Sequence, residues 1–223
     1  MATDRLFQDM LNADPAEREG QMQMFVRAAA RALAGPGEID LSSLRITIYD
    51  DVYYRTALDQ LTSPEGGDIE NSDISFVRRR LAPGLWSTIV IDTPDDVTTL
   101  TQQMLSKMPE DAETVWSAAQ ANIAQAVAGY RLNDHEWVWV AQVDGYYENA
   151  MMAVPEIWPD IARKIGGAPI VATPARGILL IVNNDRPETL EALGNISRRF
   201  LEERGHKLTD RLYRWTDAGW ERL

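Results

Sequence analysis

The chain contains no cysteine and only two histidines, His135 and His206, in 223 residues. Without cysteine there are no disulfides, thiolate nucleophiles, zinc–thiolate sites or iron–sulfur clusters. Two histidines exclude a multi-histidine metal centre and leave a Ser-His-Asp triad two possible bases. No run of about 18 apolar residues is present, so a membrane-spanning helix is not expected. The start, Met1-Ala2-Thr3-Asp4-Arg5, lacks a basic stretch followed by an apolar one, and the expectation is a cytoplasmic protein. Phosphate-cradling glycine motifs, a Gly-x-Ser-x-Gly elbow and a His-Glu-x-x-His pair are all missing.

Charge of positive sign is scarce. The net charge is −12. Residues 1–175 carry 13 Lys/Arg against 26 Asp/Glu, a balance of −13, whereas residues 176–223 carry 9 against 8, a balance of +1. An acidic body disfavours nucleic acid and anionic membrane surfaces, and it steers a basic protein partner toward itself. It also keeps a protein soluble without any partner. The acid clusters Asp50-Asp51 and Asp92/Asp95/Asp96 lack the ligand ladder and central glycine of a calcium loop. No metal and no cofactor are expected.

What is present is 45% hydrophobic residues, enough for a sizeable core. Asp14-Pro15-Ala16-Glu17 predicts a helix start, and Gly35-Pro36-Gly37 its end. Leu44–Tyr49 alternates as a strand. Val52–Leu61 is ambiguous with a lean to helix. Thr62–Ser72 reads as an exposed loop and as the boundary between a part at 1–72 and a C-terminal part at 73–223, which can pack as one domain. Arg78-Arg79-Arg80 reads as a solvated face. Trp86–Asp92 predicts a central strand, Val97–Leu100 a short one, and Thr101 a cap for a short helix. Pro109 is expected to open a long helix over 108–129 with the stripe Val115, Ala119, Ile123, Ala126 and Val127. Glu136–Val143 predicts a strand ended by a hairpin turn at Asp144-Gly145.

Residues 155–165 predict a helix stopped by Gly166-Gly167, and 168–173 with 177–182 two antiparallel strands around Pro174. Asp185 and Glu188 form a capping-box pattern for the last helix, and residues 212–223 a hairpin. Strands and helices alternate without a regular βαβ repeat. The expected class is α+β, a mainly antiparallel sheet with packed helices, in one or two subdomains.

Few residues point to chemistry. Arg176, at a corner between two apolar strands, can bind a carboxylate bidentately. An internal acid such as Asp144 or Glu148 is the favoured partner, and a ligand the alternative. Trp137 and Trp139 share one face of their strand, which reads as burial beneath another layer or as a partner-binding platform. His135 reads as a loop histidine beside two acids, and His206 as a helix-end cation.

Five short stretches carry a resemblance: Ile89-Val90-Ile91-Asp92-Thr93-Pro94, Ala119-Gln120-Ala121-Asn122-Ile123, Tyr147-Glu148-Asn149-Ala150-Met151-Met152, Ala172-Thr173-Pro174-Ala175-Arg176 and Leu208-Thr209-Asp210-Arg211-Leu212. In order and spacing, residues 74–215 resemble the YtpQ-like bacterial family of unknown function. The resemblance implies an α+β fold and no particular activity. It departs after Arg176, where Gly177 stands in place of an acid.

The candidate binding residues are thus Arg176, Asp144, Tyr147, Glu148, Trp137 and Trp139. The expected function is non-catalytic protein binding in the cytoplasm, in one version the neutralisation of a basic partner, as immunity proteins do. The alternatives are a carboxylate-dependent hydrolase and a sensor of a small anionic ligand at Arg176. No catalytic residue is assigned.

Overall fold

A computed structural model describes residues 39–51, 76–94, 96–203 and 207–223. The expected N-terminal helix, the stretches 52–61 and 62–72, and His206 lie outside the described residues. The first sheet is built on β1 (Leu44–Asp50) and β3 (Leu85–Thr93), antiparallel from Leu44 opposite Ile91 to Asp50 opposite Leu85. β2 (Arg78–Ala82) flanks β3 on the other side, and β4 (Asp96–Thr99) folds back on its far end. β1 thus joins residues 44–50 to the C-terminal strands in one sheet.

Side-chain alternation sends Leu44, Ile46 and Ile48 to the same face as Leu85 and Ile89, and that face enters the main core. After α1 (Gln102–Leu105), capped by the Thr101 hydroxyl as expected, α2 (Ala112–Val127) packs on β1. Its buried stripe is Val115, Trp116, Ala119, Ile123 and Val127. The helix starts later than Pro109 predicts. Asp111 is the cap, because its carboxylate accepts the Thr114 amide that would otherwise lack a partner. Asn122 donates to the carbonyls of Leu41 and Leu44, the structural role expected of an amide beside the stripe.

The second sheet has the order β10-β9-β7-β8-β6-β5, with every pairing antiparallel. Its strands are β5 (Arg131–His135), β6 (Val138–Gln142), β7 (Ile170–Ala172), β8 (Leu180–Val182), β9 (Leu212–Thr216) and β10 (Gly219–Arg222). α3 (Trp158–Ile165) precedes β7 and ends at Gly166 in the left-handed conformation, and α4 (Pro187–Glu203) follows β8. One face of the sheet (Val138, Ile170, Ala172, Leu180, Val182) packs on Leu193 and its neighbours on α4. The opposite face (Ala141, Val171, Ile181, Tyr213) joins the main core, where Trp220 packs edge to face against both Trp158 and Trp215.

The fold is α+β with two antiparallel sheets and packed helices, as the pattern of elements implies. No helix among the described residues is long and apolar enough to cross a membrane.

Three local expectations are corrected. The hairpin turn lies at Glu136-Trp137, with Glu136 at φ 65°, and β5 precedes it. His135 is accordingly the last residue of a strand, not a loop residue. Asp144-Gly145 does not reverse a hairpin but leads into 3-10 turns at Asn149–Ala153 and Pro155–Ile157. Asp185 does not complete a capping box: its carboxylate takes Arg214 at 2.8 Å, and α4 begins at Pro187. The terminal hairpin and the antiparallel β7–β8 pair are as expected, though β7 and β8 are shorter than the apolar runs.

Candidate functional site

The segment that follows β6 gathers most of the singled-out residues, and two acids shape it. Asp144 Oδ1 accepts the backbone N–H groups of Tyr146 and Tyr147, each at 2.9 Å. This is how an Asp caps a turn beginning at its own position. Glu148 reaches back across the same loop, and its Oε1 accepts the N–H groups of Val143 at 2.9 Å and Gly145 at 2.6 Å. Glu148 is only 2% exposed. A buried carboxylate is tolerable where amide dipoles point at it, and here two do.

The loop then docks. Tyr147 donates its hydroxyl to Asp92 Oδ2 at 2.8 Å, joining it to the end of β3. Burial first, and the Asp92 carboxylate second, push the Tyr147 phenol well above its ordinary range. Gln120 of α2 donates to the Ala153 carbonyl at 2.7 Å, and Trp158 to that of Met151 at 3.0 Å.

From the other side comes the corner between β7 and β8. The Arg176 guanidinium lies over the Tyr146 ring, 4.8 Å from its centroid. Gly177 has φ 71°, and a Cβ there would overlap the Gly145 carbonyl oxygen and stand 3.5 Å from Glu148 Oε2. Leu208 donates its N–H to the Pro174 carbonyl at 2.7 Å. Stretches scattered from residue 89 to residue 212 thus converge on residues 143–154 and on the corner beside them.

The internal brace expected between Arg176 and Asp144 or Glu148 does not form. Among the described residues no carboxylate lies within ion-pair distance of it, and Asp144 and Glu148 take backbone N–H groups instead. The physical reason is proximity: amides two to five residues away reach these acids at lower entropic cost than a side chain from another strand. Gly177 explains why no acid follows the arginine, since the left-handed backbone and the Gly145 carbonyl leave no room for a side chain.

Several buried polar atoms around this junction have no hydrogen-bond partner among the described residues: Glu148 Oε2, both side-chain polar atoms of Asn149, and the Thr173 hydroxyl. They belong to the two segments that meet at Gly145 and Gly177.

The tryptophans separate. Trp139 is half-buried against the main core, whereas Trp137, in the turn after β5, is among the few large exposed apolar residues. β5 is the outer strand of its sheet, and apart from Leu132 all of its side chains are exposed. In the basic triplet, Arg78 stacks on Trp86, and Arg79 stacks on Trp116 and pairs with Glu113.

Among the acid clusters, Asp51 accepts from the Trp86 indole at 2.6 Å and Asp92 from Tyr147. Among the described residues no three His, Asp or Glu groups gather as metal ligands would. The Asp92–Tyr147 contact was missed by the sequence reading; its one signal was an acid at the end of an apolar strand. Compared with family models, curated proteins and solved structures, the chain finds no match.

Proposed function

We propose that the protein acts by binding another protein, a basic one, rather than by catalysis. The observation that carries this reading is Trp137, exposed at the tip of the β5–β6 hairpin, where β5 is the outermost strand of the second sheet among the described residues. A large aromatic left in water at a sheet edge is the residue type that anchors interfaces. The outer side of β5 offers backbone N–H and C=O groups to which an extended segment of a partner can add. The net charge of −12 supports a cationic partner and disfavours nucleic acid. Catalysis loses support because Asp144 and the accepting oxygen of Glu148 are engaged in holding their own loop. In the most specific version the partner is a basic toxin that this protein neutralises in the cytoplasm. The resemblance to the YtpQ-like family is compatible with that version and adds no activity to it.

The test uses the full chain as bait in lysate of its native host, beside a Trp137→Glu variant. The expected result is a basic protein captured by the wild type, released by rising salt, and bound about 30-fold more weakly by the variant. Equal capture by both proteins, or no salt-sensitive partner for the wild type, overturns the proposal.

A further inference from the structure

At the Arg176-Gly177 corner, one carboxylate oxygen lacks a hydrogen-bond donor and one guanidinium lacks a carboxylate partner among the described residues. Glu148 is 2% exposed; one oxygen holds two backbone amides, and the other has no donor among the described residues. An acceptor of this kind, buried and charged, carries the full desolvation cost of whatever bond it does not make. The backbone of Gly177 lies directly against that oxygen, at a spacing where a Cβ would stand 3.5 Å away. One residue earlier, the half-exposed Arg176 presents its guanidinium on the Tyr146 ring, with no carboxylate in ion-pair range among the described residues. A guanidinium is a planar fork of donors whose natural acceptor is a carboxylate or phosphate. An acceptor lacking a donor and a donor fork lacking an acceptor thus share one corner and do not satisfy each other.

We propose that this corner binds a small zwitterion of the free α-amino-acid type, its ammonium group donating to Glu148 Oε2 and its carboxylate accepting from Arg176. A simple anion would satisfy Arg176 but place like charge beside Glu148, and a simple cation would do the reverse. Only a molecule carrying both signs completes both partners. Asn149 and Thr173, buried on the same two segments, add an amide and a hydroxyl without partners among the described residues. Arg176 and Tyr146 are both half-exposed, so the corner lies at the surface, and a ligand reaches the Glu148 oxygen when the Gly177 backbone against it moves. This site is separate from the β5–β6 hairpin, and its test does not depend on a protein partner.

The experiment is isothermal titration of the full chain with individual L-amino acids and glycine. N-acetylglycine, which lacks the ammonium, and glycinamide, which lacks the carboxylate, serve as controls. The expected result is saturable binding of at least one amino acid, with both controls at least about tenfold weaker. Glu148→Gln keeps the oxygen that holds the loop and removes the charge that holds the ligand; Arg176→Ala removes the other end. Each is expected to weaken binding by about tenfold or more. If Glu148→Gln does not fold, Arg176→Ala and the two controls carry the test. Three results overturn the proposal: no heat with any amino acid up to about 10 mM, binding unchanged in both variants, or a stability coupling between Arg176 and Glu148 in the ligand-free protein that shows them paired with each other.

Discussion

The loop after β6 and the hairpin before it are neighbours in sequence and opposites in physics. Residues 147–154 bury their polar groups: Glu148, Asn149 and Tyr147 are each less than a tenth exposed. Residues 131–137 expose theirs, together with Trp137. A polar group in the interior must be held by partners, so the loop is a structural joint that draws β3, α2 and the β7–β8 corner together. An apolar group in water gains by finding a cover, which is why the hairpin carries the proposed protein interface. Of two regions that both look functional in sequence, the buried one is built to hold the fold and the exposed one carries the proposed protein interface.

Glu148→Ala tests that division most severely. It leaves the part-buried Val143 and Gly145 amides without their acceptor, at up to about 1–3 kcal/mol for each donor. A total loss of about 3–5 kcal/mol is expected by urea denaturation. A loss below about 1 kcal/mol would show that the loop is not held from within, and the contrast between the two regions would collapse.

Gly177→Ala comes next. The left-handed backbone costs an alanine about 1 kcal/mol or more, and overlap with the Gly145 carbonyl adds to it. The expected loss is about 2–4 kcal/mol. Its measurement sharpens the comparison, because this change tests the fit between corner and loop and leaves every hydrogen-bonding side chain in place.

Tyr147→Phe removes the link to Asp92 and is expected to cost about 1 kcal/mol at neutral pH. It also alters the alkaline limb of stability. The folded phenol has a raised pKa, so the protein favours the protonated form more than the unfolded chain does. That contribution is complete below pH of about 10, where an unfolded tyrosine titrates, and is lost as pH rises beyond it. The wild type should therefore lose stability above pH of about 10 more steeply than the variant does. Burial also raises the Tyr213 phenol, so the variant flattens the limb without abolishing it. Parallel limbs in the two proteins would place Tyr147 in water.

How much of this was legible follows from where contrast exists in the sequence. The α2 stripe, the Gly166 stop and the β9–β10 hairpin were readable because apolar period and turn residues coincide there. β5 was not, since Leu132 is its only apolar residue and an edge strand exposed on both faces shows no alternation. Asp144-Gly145 was misread because the same dipeptide serves a hairpin or an Asp-capped turn, and only the later pairing decides.

Parity correctly set Trp137 and Trp139 apart from the valines, which face α4. It could not show that β6 begins only after Trp137. The Arg176 brace failed because a surplus of upstream acids is a fact of composition, whereas pairing depends on which donors already stand beside each acid. Of the candidate site, the residue types were therefore visible and their bonding was not.

Trp137→Ala has the smallest expected effect on folding and completes the comparison. The side chain is 38% exposed, and it follows the last paired residue of β5. Removing it takes little from the core, so its loss should shift unfolding by no more than about 0.5 kcal/mol. Trp139, paired opposite Asp134 and half-buried against the main core, is the internal control: its replacement by alanine should cost several times more. If the two substitutions cost the same, Trp137 is a packing residue, and the hairpin has no better claim to a partner than the loop behind it. If Trp137→Ala is silent while Trp139→Ala is not, the exposed tryptophan is free of any folding role, and a surface free of folding roles is one that binding can shape.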